Sequence, residues 1–174
     1  MPGSHYHQQR FWNLLISIRV HLDYVNLYSQ SSYKWDNGLK IYLAIASAGS
    51  IAGWAVWQSI QIVWAIIIAG SQVVIAISPH LPYRKRLDML LPLATELHEL
   101  LLNAEHAWYY ISEGHMTNDE IAEAILDIRR RDSVLDTKYL SKTALPYKNK
   151  RLEKAEALAG SYFRQSYSLG EHDE

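Results

Sequence analysis

Cysteine is missing from this 174-residue chain, which excludes disulfides, thiolate metal sites and a thiol nucleophile. Also missing are a glycine-rich phosphate loop, a nucleophile elbow and any carboxylate pair beyond solvated charges. Nothing therefore points to an enzyme, and no catalytic residue or cofactor is implied. Neither sign of charge dominates: 17 Lys and Arg oppose 18 Asp and Glu, for a formal net charge of -1. That balance argues neither for nor against nucleic acid. No internal repeat and no second globular domain can be made out. The most informative absence is local. Between Ile41 and Tyr83 there is no Asp, Glu, Lys or Arg.

A bilayer's hydrocarbon core, about 30 Å thick, takes roughly 20 helical residues to cross. One crossing would leave half of the uncharged run over, whereas two crossings joined by a tight turn at Gln58–Gln61 use nearly all of it. The competing reading is a pair of buried helices in a soluble all-α protein. Against it, Ile and Val crowd every face of Ile62–Ile77, where a soluble amphipathic helix would keep a polar side. The first helix is richer in Ala, Gly and Ser but also lacks charge, which near its centre would cost about 2.5–3.5 kcal/mol. The mean hydropathy of -0.15 then averages a greasy middle with a charged C-terminal half. The run begins too late and is too long for a signal peptide.

The expected fold is an all-α membrane protein. An N-terminal amphipathic helix and linker occupy 1–38, and a transmembrane hairpin occupies 39–83, with helices at about 39–57 and 62–80. A cytosolic helical region with an acidic tail fills 84–174. Lys34 and Lys40 precede the first crossing and Arg84-Lys85-Arg86 follow the second, while the connection is uncharged. Positive residues stay on the cytoplasmic side, so both termini are expected there. Trp54, Trp57 and Trp64 cluster near the turn, where an outer aromatic belt would sit.

Met1–Gln9 is polar and expected to be loose. From Arg10, the residues Phe11, Leu14, Leu15, Ile18, Leu22, Val25 and Tyr28 recur at steps of three and four. Such a helix either lies on a membrane surface or packs on the soluble part. Asp36-Asn37-Gly38 is a turn signal. Beyond Tyr83, Leu90, Leu97, Ala104 and Ile111 fall at heptad position a, with Leu93, Leu100 and Ala107 at d. This suits either a short coiled coil between chains or a helix packed on its own chain. Pro92 marks a new helix start or a bend. Glu113-Gly114-His115 ends the helix, and Thr117 with Glu120 forms a capping box. Ile121, Ile125 and Ile128 predict a short helix finishing at Arg129-Arg130-Arg131. Leu145-Pro146 leads to a last helix with Leu152, Ala155, Leu158, Tyr162 and Phe163 on one face.

His98, Glu105 and His106 share a predicted helix, but zinc pairs sit at i and i+4, and the residue four after His98 is Leu102. No metal site is expected. Gly49 and Gly53 form a GxxxG, extended by Ala44, Ala48 and Ala52, suited to close helix approach. Gln61 and Gln72 stand three turns apart on one side of the second helix, with Ala65 near the same line. Ser47, Ser50 and Gln58 make a similar strip on the first. Amides in hydrocarbon are costly without partners, so these sides face protein or water. They make either interhelical hydrogen bonds in a static bundle or the wall of a narrow, uncharged pore. One hairpin cannot enclose a channel, so a pore requires sister copies. Arg129, Arg130, Arg131, Lys148, Lys150 and Arg151 either offset a helix dipole or meet the phosphates of an anionic ligand.

The N-terminal amphipathic helix, the close crossings at Ile41–Trp57 and Ile62–Ile77, and the long helical extension resemble the SLATT-domain family over about residues 10–168. These are the two-transmembrane effectors associated with SMODS and SLOG proteins in bacterial conflict systems. The resemblance implies a pore-forming effector of antiphage defence in the bacterial inner membrane. It implies as partners sister copies of the chain (a tetramer as working assumption), the lipid bilayer and a nucleotidyltransferase encoded nearby. That enzyme's nucleotide or oligonucleotide product would regulate the pore, and the outcome would be membrane disruption and growth arrest. It supplies no catalytic residue. A two-span anchor that recruits a cytosolic partner is the competing expectation.

Overall fold

The computed structural model describes residues 2–56, 61–77, 82–141 and 145–167. They form five helices and, among the described residues, no strand: α1 Pro2–Val56, α2 Gln61–Ile77, α3 Pro82–Ser112, α4 Asn118–Leu140 and α5 Asn149–Tyr167. The chain is all-α. It divides into two compact units, one joining residues up to Ser29 with those from Asp88 on, the other being Gln30–Leu87.

The first unit is a helical bundle with a continuous core. The stripe on α1, from Phe11 to Tyr28, is buried against Leu90, Leu93, Leu97, Leu100 and Leu101 of α3. Ile121, Ile125, Ile128 and Leu135 of α4 and Phe163 of α5 complete it. The N-terminal amphipathic helix thus packs on its own chain, and so do the heptad positions of α3. Helix ends follow local chemistry. At the end of α3, Gly114 takes a φ of 74°, and the amides of Gly114 and His115 bond the carbonyls of Ile111 and Tyr110 at 3.1 and 2.9 Å. This is the Schellman pattern that glycine permits. Thr117 then caps α4. Its backbone N–H donates to Glu120 Oε2 at 2.7 Å, and its hydroxyl accepts from the Glu120 amide at 3.4 Å.

Several expectations are corrected. Residues before Arg10 are helical from Pro2 on, and proline suits the first helical position because its missing N–H would be unpaired there anyway. Asp36-Asn37-Gly38 makes no turn, since α1 runs through it and Lys40 pairs with Asp36 one turn back at 2.5 Å. Extending a formed helix gains one bond per residue, which outweighs a weak turn signal. Pro92 neither starts nor ends α3. It costs about 3 kcal/mol, but Leu90 and Leu93 to either side are buried, each contributing about 1.5–3 kcal/mol. α4 continues past Arg131 to Leu140, because the apolar stripe resumes at Leu135, seven residues after Ile128. The Arg129–Arg131 cluster is therefore mid-helix and offsets no helix end. On α5 the buried face is Ala155, Ala159 and Phe163, while Leu158 is exposed.

In the second unit, Ala46 of α1 and Ser71 of α2 are buried. A Cβ placed on Gly70 would stand 3.5 Å from the Tyr42 hydroxyl, so α1 and α2 meet at this small-residue notch. Among the described residues no helix is long and apolar enough to cross a membrane. α2 has 17 residues, a rise of about 25 Å. The expected turn at Gln58–Gln61 and the side chains of Ser47, Gly49, Ser50, Gly53, Trp54, Trp57, Gln58, Gln61 and Trp64 lie outside what is described, as does the tail from 168.

Candidate functional site

A cavity of about 1120 Å³ forms a groove in the first unit between the start of α1, the end of α3 and α5. Helical spacing puts Gln8, Trp12 and Ile16 on one wall, Glu105, Trp108 and Ser112 on the second, and Gly160, Phe163 and Tyr167 on the third. Trp12 is the hub. Its ring centroid lies 4.9 Å from that of Trp108, 5.1 Å from Phe163 and 5.4 Å from Tyr167, at interplanar angles of 45°, 64° and 82°. Edge-to-face and tilted pairs of this kind contribute about 0.5–1.5 kcal/mol beyond burial. Gln8 Nε2 donates to the Ile111 carbonyl at 3.1 Å, which ties α1 to the last turn of α3.

Glu105 is the groove's inner carboxylate. It accepts from the Tyr162 hydroxyl at 2.7 Å, and the Tyr162 ring lies under the Arg19 guanidinium at 3.9 Å. Burial first, then the negative charge of Glu105, pushes the Tyr167 phenol up to about 12. Tyr162 moves in the same direction, through burial first and then its hydrogen bond to Glu105 and the charge there. Both phenols therefore keep their protons and remain donors.

A second polar cluster joins α1 to α4. His21 Nδ1 lies 3.1 Å from Asp132 Oδ1, and Nε2 lies 3.5 Å from Asp136 Oδ1. Burial lowers the His21 pKa, but the Asp132 hydrogen bond and the charges of Asp132 and Asp136 outweigh it, and the net shift is upward. Asp136 is also raised, by burial and by the charge of Asp132, against the pull of His21. Beside this cluster the Pro146 carbonyl accepts from the hydroxyls of Tyr24 and Tyr28 at 3.1 and 2.5 Å, pinning the start of the α5 connection to α1.

The residues singled out from sequence fall in several places. Ala65 and Gln72 are exposed on α2. Arg131 pairs with Asp127 at 2.9 Å. Arg130 and Arg131 share a cavity of about 450 Å³ with Glu96 and Glu99, whose charges oppose an anion there. Arg129, Lys148 and Lys150 are exposed, and Arg151 stacks over the Tyr28 ring at 3.9 Å. His98 is exposed, and His106 packs against Tyr110 at 5.2 Å. Among the described residues no group of three or more His, Asp or Glu is placed to hold a metal ion. Sequence reasoning missed the aromatic groove, the His21 cluster and the Gly70-Ser71 notch. The small pair Gly70-Ser71 amid Ile and Val was a readable signal for the last. Comparison with family models, with curated proteins and with solved structures finds no match.

Proposed function

We propose that this chain is a pore-forming membrane effector of a bacterial antiphage system. It assembles as a homo-oligomer in the inner membrane with both termini cytoplasmic, and it is regulated by a nucleotide-derived signal from a partner nucleotidyltransferase. The span is assigned to the uncharged run Ile41–Tyr83, of which α2 is the central described part. The observation that carries the reading is the bareness of α2. Ile62 is 77% and Ile66 67% exposed, and Val63, Ile68, Val73, Ile75 and Ile77 are exposed as well. At about 100° per residue these cover roughly two thirds of the circumference. An apolar surface of that breadth needs lipid or protein to cover it. Within it Ala65, Ala69, Gln72 and Ala76 form one strip, exposed along its length. Small residues let sister helices approach, and an amide there needs water or a partner. A wall shared by several copies supplies both. The class of effector, its signal and its neighbour come from the SLATT resemblance.

Purified protein in liposomes should conduct, and expression in bacteria should depolarise the inner membrane. Gln72→Leu should change the conductance while leaving insertion intact. Tight liposomes, with and without candidate nucleotides, would overturn the reading.

A further inference from the structure

We propose that the three-helix groove of the first unit binds an organic ammonium ion, held against the rings of Trp12 and Trp108 with Glu105 as its counter-charge. The inference goes beyond the pore reading and stands apart from it, because every residue it uses lies outside Gln30–Leu87.

The chemistry follows from the walls. Indole is the best side-chain partner for a cation over its face, and aromatic cages are how proteins hold quaternary ammonium groups. Trp12 packs on Trp108, Phe163 and Tyr167 at tilted angles and Phe11 stacks on Trp108, while both indoles stay half-buried and line the groove with the part left uncovered. Glu105 stands within the same groove. One of its oxygens accepts from Tyr162, and among the described residues no Lys or Arg pairs with it. Beside aromatic rings, where a charge is partly desolvated, such a carboxylate favours a cation as its partner. Glu113 adds a second negative charge to the groove. The opposing charge is Arg164, exposed, with a guanidinium nitrogen 3.6 Å from where a Cβ on Gly160 would stand. A guanidinium at that place repels a cation and would attract an anion, which makes it the discriminating residue.

The test uses the full chain in a sugar-headgroup detergent, with the indole N–H resonances of Trp12 and Trp108 followed by NMR. Choline chloride is the probe, and 3,3-dimethylbutan-1-ol is its uncharged isostere. Choline should shift both indoles saturably, and the isostere should bind about ten-fold more weakly. Glu105→Gln keeps an acceptor for Tyr162 and should lower choline affinity about ten-fold, whereas Arg164→Gln should raise it about two-fold. Equal binding of choline and its isostere would overturn the proposal. So would an unchanged choline affinity in Glu105→Gln, or adenosine monophosphate binding at the same indoles and failing in Arg164→Gln.

Discussion

α2 and α3 are both rich in large aliphatic residues, yet they end in opposite situations. On α3, Leu90, Leu93, Leu97 and Leu101 are each no more than 1% exposed. On α2, Ile62, Ile66, Ile68, Ile75 and Ile77 lie open. The difference is arrangement. The leucines of α3 recur at three and four between charged residues, so one face can be buried by α1 and α4 while the other stays solvated. α2 has no polar face to leave outside, and a single neighbour in its own chain covers one side only. A helix patterned on one face is completed by its own chain; one apolar nearly all round is left bare by it.

That contrast breaks if the two surfaces respond alike to truncation. Leu97→Ala removes a fully buried side chain and should destabilise the bundle by about 2–5 kcal/mol. Ile66→Ala, at a site 67% exposed, should change unfolding by no more than about 0.5 kcal/mol. Urea unfolding followed by circular dichroism measures both. Equal losses would mean that Ile66 is packed against protein, from its own chain or a sister copy, and would break the contrast.

What could be read in advance divides along the same line. The stripes of α1, α3 and α4, the glycine stop at Gly114 and the Thr117 capping box are local patterns, and side chains three or four apart decide them. The groove and the His21 cluster are not local. Gln8 reaches a carbonyl 103 positions away, and His21 meets Asp132 across 111. Glu105 shows no groove role locally, because Trp12, Phe163 and Tyr167 reach the groove from α1 and α5. The continuity of α1 through Gly38 is hidden for the opposite reason: three turn-forming residues locally mask the helix on either side.

The two regions should also differ in their answer to pH. α2 carries no titratable side chain, whereas the bundle holds His21 between two carboxylates. The His21 pKa is raised in the folded state from 6.5, so its contribution is fully present below that value and lost as pH climbs through the raised one. The raised Asp136 works in the same direction at lower pH, since folding there favours the protonated acid. Bundle stability should therefore fall between pH 6.5 and mildly alkaline conditions. The fall should be below about 1 kcal/mol, because these groups are partly exposed and screened. His21→Gln should flatten the slope in that window. A slope that survives the substitution would assign it to other groups.

The smallest effect sharpens the comparison through a pair of glycines, one in each region. Neither Gly38 nor Gly114 has any atom within 4 Å of an added Cβ, so packing is neutral at both and only the backbone decides. Gly38 sits inside α1, where alanine is favoured over glycine by about 0.5–1 kcal/mol. Gly114 has a φ of 74°, a conformation that costs an L-residue about 1–2 kcal/mol. Gly38→Ala should raise helicity and stability slightly, and Gly114→Ala should lower stability. The opposite signs follow from one fact, the direction of φ, with no contribution from contacts. A loss at both positions would restore a turn at Asp36-Asn37-Gly38 and separate the amphipathic helix from the apolar one that follows it.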